Sequence, residues 1–304
     1  MGSYVTRLAL EKGYYVRGID KCTYASRKEP LLKEFSDYKN FHFEQKDICN
    51  INSLFDCDYF VNTAAETHVG NSIIESNTFM HSNVDGVYSI LQAFKNYKVE
   101  GNKRPIFFHF STDEVYGDIN DGSFKETDIL KPSNPYSATK AAGDMLIKAW
   151  HRTYNIDYIL LRPSNNYGIG QYIEKLIPKS VKYLNLGRKI PIHNNGSPVR
   201  GWLHAADTAS AVIHLIEKNI KNEIYNISGN YYDTNLNVSK KIIKNFNGDD
   251  EYKKYLDFSY SRKGQDVRYS VDDSKLKATG WVPVKRFDEE LPSIINFYKD
   301  NYIW

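Results

Sequence analysis

Apolar positions along the chain follow two periods. The opening segment GSYVTRLALEK sets Val5, Leu8, Ala9 and Leu10 on one side and stops at Gly13, which predicts an amphipathic helix and its end. The β-branched and aromatic run Tyr14-Tyr15-Val16 follows and closes on Asp20, which predicts a strand with an acid at its end. Further strand-like runs stand at 40–48, 58–67, 104–117 and 157–168, each a helical length from the next. Segments 75–97 (Val84, Val87, Ile90, Leu91, Phe94) and 136–154 (Ala138, Ala142, Met145, Leu146, Ala149) carry the period of crossover helices. Strands alternating with helices predict an α/β fold with a doubly wound parallel sheet. From about residue 166 the pattern loosens into turns, short strands and helices. This predicts a first lobe over 1–165 and a smaller second lobe over 166–304, with some segments returning to the first. No internal repeat interrupts this plan.

Composition narrows the class. The 304 residues are 41% hydrophobic, enough for a large core or two lobes. The net charge of +3 gives no reason to expect nucleic acid or a membrane surface as partner. Cys22, Cys49 and Cys57 form no CxxC and the eight histidines lack ligand spacing, so neither a disulfide framework nor a metal site is expected. A reducing, cytoplasmic setting follows from the same reading. No run of 18 apolar residues exists, and although Met1-Gly2-Ser3-Tyr4-Val5-Thr6 fits the loose myristoylation pattern, its apolar face is needed for packing.

Candidate chemistry concentrates in FFHFSTDEVYGD and, some twenty residues on, NPYSATKAAGDMLIKAW. Tyr136 and Lys140 stand four apart at the start of a helix after Pro135, so they share a face, and the ammonium is expected to lower the phenol's pKa. A phenolate so tuned is a usable base. About two YxxxK matches are expected by chance, and two occur, at Tyr24 and Tyr136. Context separates them. The strand before Tyr136 ends in Ser111-Thr112-Asp113-Glu114, a hydroxyl and two carboxyls at the carboxyl end of a parallel strand, where open α/β sheets bind ligands.

Together these residues resemble the extended short-chain dehydrogenase/reductase family acting on nucleotide sugars, and within it the nucleoside-diphosphate-glucose 4,6-dehydratases. Ser111-Thr112-Asp113-Glu114-Val115-Tyr116-Gly117 is the most specific motif. Supporting blocks are Asp20-Lys21-x-Thr23-Tyr24-Ala25, Ala64-Ala65-Glu66-Thr67-His68-Val69, Tyr136-Ser137-Ala138-Thr139-Lys140-Ala141, Ser164-Asn165-Asn166-Tyr167-Gly168, Glu174-Lys175-Leu176-Ile177-Pro178 and Val199-Arg200. The resemblance implies a Rossmann-type NAD-binding lobe and a C-terminal sugar-nucleotide lobe. It also implies a redox cycle in which Tyr136, helped by Thr112, takes the 4-hydroxyl proton as C4 is oxidised by NAD. Glu114 then removes the C5 proton, protonated Asp113 serves the leaving 6-hydroxyl, and reduction at C6 gives a 4-keto-6-deoxy sugar. Such a pair of carboxyls needs surroundings that separate their pKa values.

Carried over in the same way, Asp20 and Lys21 serve the adenosine ribose region, Thr23 and Ala25 the phosphates, Asp47 and Ile48 the adenine, and Ala64 and Ala65 the length of the dinucleotide, with Tyr136 and Lys140 at its reactive end. Asp20 favours NAD over NADP. Substrate positions are His68, Thr112, Asn165, Glu174, Lys175, Leu176, Arg200, Asn237 and Arg262, the two arginines clamping the diphosphate. His193 replaces the tyrosine common in the deoxythymidine-type enzymes and tilts the expectation to UDP-glucose over dTDP-glucose. Arg262-Lys263-Gly264-Gln265-Asp266 departs from Arg-Pro-Gly-His-Asp by an amide for an imidazole.

The resemblance implies a strand and a glycine-rich loop, about 15 to 20 residues, ahead of Gly2. Without them two neighbouring strands would carry unpaired inner edges. It implies a homodimer through the helices near 75–97 and 136–154. A nucleotide-sugar epimerase or decarboxylase of the same scaffold, and a non-catalytic nucleotide-sugar-binding protein, are the alternatives. The Thr112-Asp113-Glu114 triplet argues against the first, since C4 epimerisation needs no acid for a leaving 6-hydroxyl.

Overall fold

The computed structural model describes residues 1–98, 104–261 and 266–303. The chain enters through helix α1 (Gly2–Glu11), stopped by Gly13 at φ 83°, and continues into β1 (Val16–Asp20), α2 (Lys28–Phe35) and β2 (Phe41–Gln45). After β3 (Tyr59–Asn62) come α3 (Val69–Ile74), α4 (Asn77–Met80), a π-helical turn (His81–Asp85) and α5 (Gly86–Asn96). The helix predicted over 75–97 is present from Asn77 to Asn96 but widened at 81–85, and Glu75–Ser76 separate it from α3. A Cβ at Gly86 would stand 2.5 Å from Ile48 Cδ1, so close packing there requires glycine.

The chain then runs through β4 (Ile106–Phe110), α6 (Pro135–Tyr154), β5 (Tyr158–Pro163), β6 (Asn165–Tyr167), α7 (Leu176–Asn185), β7 (Ile190–His193), β8 (Val199–His204) and α8 (Ala205–Glu217). It ends with β9 (Glu223–Ile227), β10 (Tyr231–Thr234), α9 (Asn235–Asn247), β11 (Leu256–Tyr260), α10 (Ser274–Lys277) and α11 (Phe287–Asp300). Helix α6 starts where Pro135 predicts. Asn134 accepts from the Ser137 N–H through its side chain and donates its own backbone N–H to Ser137 Oγ, a reciprocal capping box.

Strands β3, β4, β5 and β9 form one parallel sheet in that order, and β1 pairs with β2 in parallel. Among the described residues these are two separate ladders: no pairing joins β1 to β3. All residues of β4 and β5 are buried, and alternation sends them to opposite faces. Phe108 and Phe110 meet Val5, Ala9 and Val212 of α1 and α8 on one side; Phe107 meets Ile90 and Phe94 of α5 and Ile147 of α6 on the other. The covered parallel sheet is the expected α/β class.

Two smaller sheets, β10-β8-β6 and β11-β7, gather around a second core that includes Val181, Trp202, Ile242 and Ile295. Strand β9 and helix α8, late in the chain, return to the first sheet. Among the described residues no helix is long and apolar enough to cross a membrane.

Candidate active site

Strand β4 delivers the Thr112-Asp113-Glu114 triplet at its carboxyl end. Thr112 caps the short 3₁₀ turn that follows: its hydroxyl accepts from the Glu114 N–H at 3.3 Å and donates to Asp113 Oδ1 at 3.2 Å. Asp113 is buried, with Oδ2 lacking a hydrogen-bond partner, and burial followed by the neighbouring Glu114 charge pushes its carboxyl up to about 8. A carboxyl so placed keeps its proton at neutral pH. Glu114 is also raised by burial, but Arg200 opposes the shift and the Tyr269 hydroxyl stands 3.2 Å from its Oε2. The two carboxyls thus have different surroundings.

Tyr136 opens α6 beside them, buried, with its backbone N–H donating to Ser72 Oγ at 3.2 Å and its ring edge-on to Phe79. Here one expectation fails. The phenol is pushed up rather than down, by burial first and then by the Glu114 charge, with the Thr112 hydroxyl pulling the other way. Lys140 is not among its perturbers. That lysine is buried, its ammonium drawn down to about 8 by burial, and its Nζ lies 3.5 Å from His109 Nε2. Sharing a helix face with Tyr136 does not stop Lys140 from turning toward the sheet.

The sequence-predicted cofactor residues converge on a cavity of about 210 Å³ at the carboxyl ends of β1, β2 and β3. Asp20, Lys21, Thr23, Ala25, Asp47, Ile48, Ala64 and Ala65 all line it. Asp20 Oδ1 accepts from the Cys22 N–H at 2.6 Å. Lys21 Nζ reaches Asp47 Oδ2 at 3.4 Å and Ser82 Oγ at 3.2 Å. Asp47 accepts from the Cys49 N–H, which with Lys21 overcomes burial and lowers its carboxyl. A Cβ at Gly2 would stand 2.8 Å from Oγ1 of Thr63, which also lines the cavity. These features fit the adenosine part of NAD: an acid at the end of β1 for a ribose diol and a close backbone approach beside it.

The same corner brings Asp47, Cys49 and His81 within 4.8 Å of one another, a cluster that spacing along the chain conceals. Its thiol is pushed up to about 12, by burial first and then by Asp47, so the thiolate a metal needs is disfavoured.

Substrate candidates are more dispersed. Lys175 Nζ donates to the carbonyl and hydroxyl of Thr67 at 3.2 and 2.9 Å and pairs with Glu174 at 3.0 Å, tying their loop to the one bearing His68. His68 and Glu174 line a second cavity of about 370 Å³, and His68 caps α3 through Nδ1. Leu176 starts α7 and packs on the second core. Asn165 pairs with Trp202 in register. Arg200 is buried, bonded to the carbonyls of Val199 and Asp266 and stacked 4.2 Å from the Tyr269 ring centroid, so its charge acts on the Asp113–Glu114 pair. Asn237 is exposed, its amide donating to Asp233. His193 ends β7 edge-on to Tyr260. Arg262, with Lys263, Gly264 and Gln265, lies outside the described residues.

Sequence reasoning assigned no role to Asn62, His109, Asp266 or Tyr269. His109 carried a signal, as the polar residue of the otherwise apolar IFFHF strand.

Comparison with known proteins agrees with this geometry. The family model described as GDP-mannose 4,6 dehydratase matches residues 1–293. A dTDP-glucose 4,6-dehydratase of Haemophilus influenzae is 37% identical over 308 residues, covering 94% of this chain and 91% of the relative. The low-salt glycan biosynthesis protein Agl12 of Haloferax volcanii is 35% identical, covering 92% and 89%. A dTDP-glucose 4,6-dehydratase of Streptomyces venezuelae, crystallised with NAD bound, superposes with a TM-score of 0.92 at 32% identity, over 99% of this chain and 94% of that one.

Proposed function

The chain belongs to the GDP-mannose 4,6-dehydratase family of extended short-chain dehydrogenase/reductases, and on that premise we propose that it is an NAD-dependent dTDP-glucose 4,6-dehydratase. The observation that carries this reading is the unlike pair Asp113 and Glu114 beside Tyr136. One carboxyl keeps its proton near neutrality; the other is held by Arg200 and Tyr269. Elimination of water across C5 and C6 needs a base at C5 and an acid for the leaving 6-hydroxyl, whereas epimerisation at C4 needs neither of these two.

Bound NAD would supply the oxidant at C4 and the reductant at C6 and end each cycle unchanged. The chain's own residues move the protons. For this step Tyr136, oriented with Thr112, must be the phenolate, its own proton lost beforehand against the upward push of burial; it then receives the proton of the sugar's 4-hydroxyl. The resulting ketone acidifies C5–H, and Glu114 takes that proton. Asp113 gives its proton to the departing 6-hydroxyl, which leaves as water. The proton held by Glu114 returns at C5, and the one taken from O4 replaces the one lost by Asp113, so no net proton is consumed.

Deoxythymidine rather than uridine is supported by the relatives' names and reverses the tilt drawn from His193. A single turn residue does not outweigh similarity over nine-tenths of the chain. A homodimer through the helices near 75–97 and 136–154, α4 to α6, is supported by the apolar side chains they expose, among them Met80, Tyr88 and Met145, with Ile73 and Ile74 of the adjoining α3 extending the exposed patch. Incubating the protein and NAD with dTDP-glucose and with UDP-glucose, and reading the alkali-induced absorbance of a 4-keto-6-deoxy sugar, tests the proposal. Product from dTDP-glucose is expected. A C4 epimer instead, or no product from any nucleoside-diphosphate-glucose, overturns it.

A further inference from the structure

The second YxxxK match, at Tyr24, takes no part in the proton scheme above, yet its side chain stands between the two cavities. Its chain neighbours Thr23 and Ala25 line the smaller one, together with Glu66. Its ring meets Tyr172 edge-on, centroids 5.2 Å apart at 76°, and Tyr172 lines the larger cavity with His68 and Glu174. The Tyr24 hydroxyl donates to Glu66 Oε2 at 3.4 Å. Burial first, then the Glu174 and Glu66 charges, push this phenol up to about 12, so it keeps its proton and remains a donor.

We propose that Tyr24 is a positioning residue that couples occupation of the cofactor cavity to the orientation of the loop 168–175, through its edge contact with Tyr172. The inference deepens the dehydratase reading and rests on it only for the identity of the second ligand, a deoxythymidine diphosphate. The first half of the loop is held from elsewhere: Tyr4 of α1 donates to the Ile169 carbonyl at 3.2 Å, and Tyr298 of α11 to the Gln171 carbonyl at 2.6 Å. The second half carries Glu174 and Lys175, and the cofactor side holds it twice. Tyr24 meets Tyr172, and Thr67, next to the cavity-lining Glu66, accepts from Lys175 Nζ at 2.9 Å. A backbone turn joins the two holds. Lys175 N–H donates to the Tyr172 carbonyl at 3.1 Å, so an orientation imposed on Tyr172 is passed to Lys175.

The segment that carries Tyr24 suits a coupling role. Residues 21–27 belong to no helix or strand, and Tyr24 itself is 52% exposed, so fixing its ring costs conformational entropy. NAD seated against Thr23 and Ala25 would restrain the segment and meet part of that cost, after which the ring contact orders Tyr172 more readily. By linkage, a ligand that orders the loop favours NAD by the same factor. The strength of an edge-to-face aromatic pair sets that factor at roughly two- to tenfold. A second approach lies beside the first: a Cβ at Gly170 would stand 3.4 Å from Arg27 Nη1.

Hydrogen exchange of the full chain, read by mass spectrometry on the peptide over 168–178, tests the coupling with saturating NAD as the only ligand. NAD should slow this peptide by roughly two- to tenfold in the wild type. It should do the same in Tyr24→Phe, which keeps the ring, and nothing in Tyr24→Leu. Tyr172→Leu alters the contact from the other side, away from the walls of the cofactor cavity, and should lose the effect as well. An NAD effect that is missing from the wild type, or that persists in either Leu variant, overturns the proposal. Calorimetric titration of dTDP with and without NAD gives the second reading. The wild type should bind dTDP roughly two- to tenfold more tightly with NAD, and each Leu variant, like the double variant, should bring that ratio to about one. A merely structural Tyr24 would weaken both ligands and leave the ratio unchanged, which overturns the proposal. Failure of dTDP to bind the wild type would sink the deoxythymidine reading, and the exchange result would decide the coupling by itself.

Discussion

Tyr269 and Glu114, 155 positions apart, meet at 3.2 Å, phenol oxygen to carboxylate Oε2, and the same hydroxyl also faces the Asp266 carboxylate, so its one proton serves either acceptor. The contact favours the ionised form of Glu114 and steadies it beside Asp113. Replacing Glu114 by Gln should allow C4 oxidation and block elimination, so bound NADH accumulates without product in stopped-flow absorbance. Tyr269→Phe should slow elimination by about tenfold and move its acid limb upward, because Glu114 loses a bond made to its charged form. Full product formation in the Gln variant would remove Glu114 from the base role.

Asp113 gives a stability test. Its carboxyl rises from an ordinary 3.8 to about 8 on folding, from burial first and from Glu114 second. The native state therefore binds this proton more tightly, and the contribution is whole below about pH 4 and lost as pH rises toward 8. Asp113→Asn should match the wild type near the acid end and exceed it at pH 8, by roughly 2–4 °C in melting temperature, while abolishing dehydration. Scanning calorimetry at both pH values checks it; an equal shift at both would mean that Asp113 is ionised in the fold.

Tyr136 is placed to act before either carboxyl. Tyr136→Phe keeps the ring against Phe79 and the backbone bond to Ser72, so the fold should persist. C4 oxidation should fall by about 10²–10⁴, with no NADH signal on mixing. NADH forming at the wild-type rate would assign the base elsewhere.

What the sequence disclosed and what it hid divide along one physical line. The strand-like apolar run around IFFHF, the helix start at Pro135 and the Gly13 stop are local, and the elements stand where they predict. That the candidate cofactor residues Asp20, Asp47 and Ala64 share one cavity was also legible, because a doubly wound sheet brings strand ends together wherever they lie in the chain. Contacts across long separations were not. Tyr269 reaches Glu114 from a late segment, and His109 takes Lys140 from the side of Tyr136, so the expected lowering of the phenol gives way to burial. The π-helical widening at 81–85 was hidden too, since Val84, Val87, Ile90 and Leu91 keep helical spacing through it.

The exposed apolar face of α3–α6 predicts the assembly. Ile74 is 86% exposed, and Met80, Tyr88 and Met145 are each close to half exposed. The double substitution Ile74→Glu with Tyr88→Glu puts two charges on that face without touching the site. It should convert a dimer to a monomer at micromolar concentration in light scattering, since a charge buried without a partner costs several kcal/mol. A wild type that is monomeric in the same measurement would reject the interface.

Asp20 is expected to decide between cofactors. It stands at the end of β1 on the wall of the cavity, one oxygen held by the Cys22 N–H at 2.6 Å. A ribose diol donates well to a carboxylate, and a 2′-phosphate in the same place would set two anions together. Lys21, the next residue, does little to offset this, because its ammonium already pairs with Asp47 at 3.4 Å. NAD should therefore bind at least a hundredfold more tightly than NADP, about 2.7 kcal/mol. Asp20→Asn keeps an oxygen for the Cys22 N–H but removes the charge. It should weaken NAD by about tenfold and improve NADP, closing most of the gap from both sides. Calorimetric titration of both cofactors into both proteins measures the four affinities. If Asp20→Asn weakens NAD and NADP equally, the carboxylate shapes the cavity wall without reading the ribose, and selection against the 2′-phosphate lies with another residue.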